Sequence, residues 1–215
     1  MLRLIVGNLN YSSWSMRAWL ALKLAGADFE VRDVGIFTSP HWKDKVLSFS
    51  GAGKVPILVD RSLTIHESLA ISETMAERFP QAHLWPEDAA LRARGRAISA
   101  EMVSSFTEIR RQMPTNLRGR SQNRPCEGKL PQEIARVLDI WSASLLTSSG
   151  QFLLGDFSIA DCMYMPLVAR FRTYGVEMDE RAQAYSQAVF AHPLVQELSD
   201  LAAVTESIPQ YDALL

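Results

Sequence analysis

Cysteine is almost missing from this chain of 215 residues: only Cys126 and Cys162 occur. They form no closely spaced pair, so a Cys-x-x-Cys redox motif, a thiolate zinc site and a disulfide framework are all excluded. Histidine is as sparse, at positions 41, 66, 83 and 192 without metal-ligand spacing, and surface or structural roles are expected for all four. No apolar run approaches the roughly 18 residues needed to cross a bilayer. The opening stretch, Met1 to Asn8, lacks the charged, apolar and small-residue regions of a signal peptide. A formal net charge of −2 leaves no excess of basic residues to displace counterions from a nucleic acid, so that class of partner is set aside. The expectation is a cytoplasmic protein with no metal, no membrane contact and no nucleic-acid partner.

What is present is ordinary globular material. Apolar residues make up 47% and charged residues 21%, enough to bury the core of one or two domains. The first 80 residues mix strand and helix signals. Leu2 to Val6 is a β-type run, Trp14 to Ala25 carries apolar residues at helical spacing, and Phe29 to Val34 alternates. After a connecting segment with room for a helix, Pro56–Val59 and Leu63–Ile65 form two strands joined across Asp60-Arg61-Ser62, short enough for a hairpin. A helix from Glu67 to Phe79 stops before Pro80. This β-α-β, β-β-α order predicts a small mixed sheet between helices, a thioredoxin-like α/β domain.

From Pro86 onward only helical periodicities appear: Asp88 to Met113, Pro131 to Thr147, Ser158 to Tyr174, and two shorter helices after them. Phe79 to Pro86, bracketed by prolines, reads as the connector. The chain thus divides into a domain at 1–80, a linker at 81–87 and an all-α domain at 88–215. Arg118 to Lys129 is basic and turn-rich, and a mobile loop is expected there.

Three segments of the first domain invite chemistry. Ser12 or Ser13 in Tyr11-Ser12-Ser13-Trp14-Ser15-Met16-Arg17 can cap the first helix. The same turn can hold an anion, because free amides and the helix dipole favour negative charge there, and a thiolate would also gain from a serine donor. In Gly53-Lys54-Val55-Pro56, the proline either starts a strand in the trans form or is cis and turns the Val55 backbone towards a peptide-like ligand. In His66-Glu67-Ser68, an acidic first turn complements a helix dipole; the pair also suits the ammonium and carboxylate of an amino-acid head group. In the second domain, Ser158 and Asp161 fit a capping box, with Phe157 and Cys162 placed for a hydrophobic staple. Met102, Phe106, Met113, Met163, Met165, Phe171 and Tyr174 are expected mostly in the core, with some lining an apolar pocket.

Taken in order, the strand–serine–helix turn, the Val-Pro step and the Glu-Ser helix start resemble the glutathione site of the glutathione transferase superfamily. Ser12-Ser13-Trp14-Ser15-Met16-Arg17 is similar to the Ser-Ser-Cys-Ser-x-Arg motif of the zeta class, and closer still to bacterial transferases with Tyr-Ser-Ser-Trp-Ser-x-Arg. Gly155 to Asp161 resembles the superfamily's helix-capping motif.

The resemblance implies the glutathione transferase fold, a thioredoxin-like domain followed by a helical one. Its activity would be conjugation of glutathione, the co-substrate, to small hydrophobic electrophiles, a detoxification chemistry. Hydroperoxide reduction is a further option. Ser12 would donate to the glutathione sulfur, with Ser13 its rival; Trp14 would lie among the glutathione contacts. Val55 would hold the cysteinyl backbone beside a cis-Pro56, Glu67 and Ser68 the γ-glutamyl group, and Lys54 or Lys43 the glycine carboxylate. Arg17 would support the helix start or assist electrostatically. Trp14 stands where zeta enzymes carry a cysteine, which argues against their isomerase activity and against thiol-disulfide exchange. A homodimer is implied too. The competing reading is a glutathione-binding or scaffold protein without turnover.

Overall fold

A computed structural model describes residues 1–123 and 125–215. The first domain runs β1 (Leu2–Val6), α1 (Ser13–Leu24), β2 (Phe29–Asp33), α2 (Trp42–Phe49), β3 (Ile57–Asp60), β4 (Leu63–His66) and α3 (Ser68–Arg78). The strands form one sheet in the order β2-β1-β3-β4, with β1 parallel to β2 and the other pairings antiparallel. Strand alternation assigns the two faces. Leu4, Val6 and Leu58 join the main core with Met16, Leu20, Ile71 and Met75 of α1 and α3. Their neighbours Ile5, Ile57 and Val59 point the other way and pack with Val34 and Val46, the latter on α2. The connecting segment between β2 and β3 therefore does hold a helix. Asp60 and Leu63 close the hairpin, with Arg61 in the left-handed region at φ 54.

A short 3-10 turn at Pro80–Ala82 lies in the connector. The helical domain then comprises α4 (Ala89–Ser104), α5 (Thr107–Gln112), α6 (Leu130–Thr147), α7 (Ile159–Tyr174), α8 (Glu180–Ala191), α9 (Pro193–Ala203) and α10 (Pro209–Asp212). The periodicity expected as one helix over 88–113 is two. The chain turns at Phe106, which is buried at φ 63, and the Arg110 guanidinium donates to the carbonyls of Met102 and Ser105. Those carbonyls belong to the last turn of α4 and have no partner within the helix, so Arg110 caps it. A further difference is α10, a third short helix at the C-terminal end.

The segment expected as a mobile loop is tied down over residues 118–123; residue 124 lies outside the described residues. Arg118 donates to the Thr205 carbonyl and to the Tyr11 hydroxyl; Ser121 and Asn123 donate to the Leu215 carbonyl. The methionines and aromatics assigned to the core, Met102, Phe106, Met113, Met163, Met165, Phe171 and Tyr174, are all buried. Met113 and Tyr174 also line a cavity with Ile134 and Val176, inside the helical domain.

Helix α7 is the axis of the second domain: every residue from Ile159 to Tyr174 is buried except Arg172. It starts at the capping box read from the sequence. The Asp161 carboxylate accepts from the Ser158 backbone N–H at 2.9 Å and the Ser158 hydroxyl at 3.0 Å. It also accepts from the Leu153 N–H and the Tyr185 hydroxyl, each at 3.1 Å. Burial nevertheless raises this carboxyl to about 6, against the pull of those donors.

Two outcomes follow. Asp161→Ala leaves buried donors unpaired and removes the cap, so it should cost about 3 kcal/mol in a urea melt. The folded pKa lies above the unfolded one of about 3.9, so the native state binds the extra proton and stability falls as pH rises from about 4 through about 6. That fall should be shallower in Asp161→Asn, measured as urea midpoint against pH.

Candidate active site

Strand register assembles the site. Ile5 of β1 faces Ile57 of β3, and Ile57 faces His66 of β4. The residues just beyond this row therefore share one end of the sheet: Gly7 after β1, Pro56 before β3, and Glu67 after β4. The Val55–Pro56 peptide is cis. The ladder of β3 begins at Ile57, so the half-buried Val55 lies outside it. Lys54, the residue before it, is exposed. Lys43 is exposed on α2, 5.6 Å from the Trp42 ring, and register does not bring it to this sheet end.

The serine turn has one hydroxyl facing outward. Ser12 is the N-cap of α1 and half-buried; its Oγ accepts from the Ser15 backbone N–H at 3.3 Å. The hydroxyls of Ser12 and Ser15 share a 2.8 Å hydrogen bond, and Ser15 Oγ accepts from the Gly7 N–H at 3.1 Å. Ser15 is fully buried, so it holds the cap residue from within. Ser13 is buried as well, and its Oγ accepts from the Arg170 guanidinium at 3.4 Å.

Glu67 sits one position earlier than the sequence suggested, as the N-cap of α3 rather than in its first turn. Its backbone is at φ 77, an unusual region for a residue with a side chain. Its carboxylate accepts from Leu69 N–H at 2.9 Å, Ala70 N–H at 3.3 Å and the Ser68 hydroxyl at 2.9 Å. The Ser68 hydroxyl is buried and committed to Glu67. Its backbone N–H, in the first turn of α3, has no acceptor within the helix.

Behind the serine turn three arginines converge. Arg17 of α1 is fully buried; its Nε donates to the Met163 carbonyl on α7 at 2.9 Å. Arg170 of α7 donates through Nε to the Met113 carbonyl at 2.8 Å. The half-buried Trp14 ring takes the guanidinium of Arg17 at 4.4 Å and that of Arg110 at 5.2 Å from its centroid. Burial lowers all three guanidinium pKa values, Arg170 to about 9, and mutual repulsion adds to the shift for Arg17 and Arg170. The Glu67 carboxylate opposes it at Arg17. Among the described residues, Arg17 Nη1 and Nη2, Arg110 Nε and Arg170 Nη1 are buried without a hydrogen-bond partner.

Tyr11, next to the serine turn, is fully occupied elsewhere. Its hydroxyl donates to Asp212 at 2.7 Å and accepts from Arg118 at 3.0 Å and the Ile208 N–H at 3.2 Å. Its ring stacks on Tyr211, centroids 5.4 Å apart. The tyrosine thus fastens the C-terminal segment and has no proton free for a ligand at the serine turn. Tyr11→Phe should release that segment: amide exchange at Ile208 should quicken about tenfold, the equivalent of one lost hydrogen bond, in a hydrogen–deuterium exchange measurement.

Ser15, Arg110 and Arg170 were not singled out by motif. Ser15 had a signal, a third hydroxyl at capping distance from Ser12. Arg170 had one too, a lone cation inside the apolar run Cys162–Phe171. Arg110 had none, since the break in the helix that aims it inward follows from packing. The four histidines form no metal group: among the described residues no cluster of metal-ligating side chains occurs.

Comparison with known proteins identifies the family and the fold. Residues 11–78 match the glutathione S-transferase N-terminal domain family and residues 89–192 the C-terminal domain family. A Caenorhabditis elegans protein named "Probable maleylacetoacetate isomerase" is 30% identical over 168 residues, covering 78% of each chain. Glutathione S-transferase 1 of Dianthus caryophyllus is 27% identical over 194 residues, 88% of this chain and 82% of that one. Among solved structures, a zeta-class bacterial maleyl pyruvate isomerase superposes with a TM-score of 0.74 at 23% identity, over 95% of this chain and all of that one. A Burkholderia glutathione transferase homologue with bound glutathione gives 0.72 at 23%, over 95% and 99%. With a mixed four-stranded domain, a helical domain and both family halves matched in order, the chain belongs to the glutathione S-transferase superfamily.

Proposed function

We propose that the protein is a serine-type glutathione transferase in which Ser12 activates the glutathione thiol. The observation that carries this is the hydroxyl arrangement at the start of α1. The Ser12 hydroxyl donates to Ser15 Oγ at 2.8 Å, and Ser15 Oγ also accepts the Gly7 N–H. A hydroxyl rotates, so Ser15 can become the donor to Ser12 Oγ when glutathione binds and turn the Ser12 proton to the sulfur anion. Ser13 is withdrawn into the interior by Arg170, and Tyr11 is consumed by the C-terminal segment, so Ser12 is the better donor of the three. The helix dipole and the buried arginines add positive potential at the same turn.

Glutathione would lie along the sheet end, its cysteinyl backbone against Val55 and its γ-glutamyl carboxylate on the Ser68 N–H. Glu67 would meet the ammonium group with whatever lone-pair capacity its capping bonds leave. Lys54 is the nearer candidate for the glycine carboxylate, and Trp14 borders the position of the sulfur. In the reaction the thiolate sulfur forms a bond to an electrophilic carbon. With an activated alkene, the π pair moves to the carbon beside the carbonyl and takes a proton from water; with a halide, the halide leaves with its electron pair. Ser12 stabilises the sulfur anion and forms no covalent bond. Reduction of a hydroperoxide by the same thiolate, a homodimeric assembly and a cytoplasmic detoxification role remain parts of this proposal that rest on the resemblance.

The test is the ionisation of bound glutathione, followed by thiolate absorbance against pH. The parent should ionise the thiol well below its free value of about 8.5. Ser12→Ala should lose that shift and lower kcat/KM on the order of 10²-fold, the usual cost of removing one anion-stabilising donor. Ser13→Ala should keep the shift. Tight binding with no shift in the parent would mean a glutathione-binding scaffold instead.

A further inference from the structure

The turn that delivers Ser12 is built around a residue that no motif marked, Asn10, which is fully buried. Its backbone N–H donates to the Asn8 side-chain oxygen at 2.9 Å, while the Asn8 carbonyl accepts from the Tyr11 N–H at 3.1 Å and the Ser12 N–H at 2.8 Å. Asn8 to Ser12 is therefore one closed turn with Asn10 in its middle. That turn is docked on three consecutive residues of the second domain. The Asn10 carbonyl accepts from the Leu117 N–H at 3.0 Å, and its side-chain oxygen accepts from the Arg118 N–H at 3.0 Å. Its Nδ2 donates to the Asn116 side-chain oxygen at 2.8 Å.

The polarity of this chain is forced from both ends. The Arg118 N–H can only donate, so Asn10 must present its oxygen there and its amide nitrogen to Asn116. Asn116 meets it with oxygen because its own Nδ2 is turned to the Asp212 carboxylate, an acceptor, at 2.8 Å. The Asn116 carbonyl accepts in turn from the Thr173 hydroxyl on α7 at 3.0 Å. Neither asparagine can flip its amide without setting like against like at a buried position, so the pair holds a single arrangement. This tether is separate from the contact of Arg170 with Ser13 and acts on the residues before the helix.

We propose that Asn10 is a positioning residue for the Ser12 hydroxyl, holding the Asn8–Ser12 turn in the geometry that aims the donor at the glutathione sulfur. The inference rests on the reading of Ser12 as the thiol-activating residue. Asn10 is spent on its own partners and acts only through the turn. A donor displaced by about 1 Å loses much of its effect on a developing charge, whereas glutathione affinity, spread over several other residues, changes little.

The bound thiol is titrated by thiolate absorbance in Asn10→Ala, Asn116→Ala and the double variant. Each single variant should raise the bound thiol pKa and lower kcat on the order of 10-fold, with KM for glutathione within about twofold of the parent. The two losses should not add, so the double variant should match the worse single. Val137→Ala opens a cavity in the buried face of α6, destabilises the fold away from the turn, and should leave the thiol pKa at its parental value. Single variants that keep the parental pKa, or a shift of the same size in Val137→Ala, overturn the positioning role and leave the transferase reading intact. A parent that does not lower the thiol pKa removes the transferase reading and this inference with it. The parent also supplies a readout that needs no variant. In native-state hydrogen exchange the Ser12 and Leu117 amides should open with one free energy and one urea slope, as a single unit. A Ser12 amide that opens independently of Leu117, with a smaller slope, overturns the tether.

Discussion

Everything at the serine turn depends on α1 being packed against α7. That contact joins the two domains: Arg17 reaches from α1 to the Met163 carbonyl, and Arg170 returns from α7 to Ser13. Both residues sit in the interior, where a long cationic side chain is seldom found without a partner. The helix whose N-terminus forms the candidate site is thereby held from behind by the second domain. α7 in turn is positioned by the Asp161 box, whose four donors come from the box itself, the preceding loop and α8.

The C-terminal segment adds a second tie across the same junction. Tyr11, Asn10 and Asn8 follow β1 directly, and each bonds to a different part of the second domain. Tyr11 meets Asp212, Asn10 bonds to Asn116 at 2.8 Å, and the Asn8 side chain donates to the Glu206 carbonyl at 2.8 Å. The loop between β1 and α1 is accordingly a rigid piece. A rigid loop suits the proposed role of holding a hydroxyl at a fixed place beside a sulfur anion, since preorganised donors need not reorient as charge develops.

The same packing explains why Ser12 and Ser13, neighbours of one chemical type, have different fates. A helix start turns successive side chains to different sides. Ser12, the cap, looks outward across the end of the sheet; Ser13, the first helical residue, looks inward to Arg170. Ser15, one turn along, comes back under Ser12 and supports it. Three serines thus divide into one half-buried at the cap, one in the interdomain core and one beneath the first.

Much was legible in the sequence because it is written in local rules. Strand alternation at Leu4-Ile5-Val6 and Ile57-Leu58-Val59 sets which residues face which helix layer, and the Ser158–Asp161 spacing marks the start of α7. The family motifs mark the three segments that meet at one sheet end, because a Val-Pro step and a Glu-Ser helix start need only a few consecutive residues to be recognised. What the sequence alone could not decide is long-range. The break of one helical period into α4 and α5 comes from Arg110 capping carbonyls in place of the next turn. The ordering of residues 118–123 comes from partners near the C-terminus, and the inward partner of Ser13 is an arginine 157 residues away. Local spacing determines where a helix begins and which residues stand at its first turn; only the packing of α1 on α7 decides which of those side chains meets solvent and which meets a buried charge, because that depends on residues no local pattern connects.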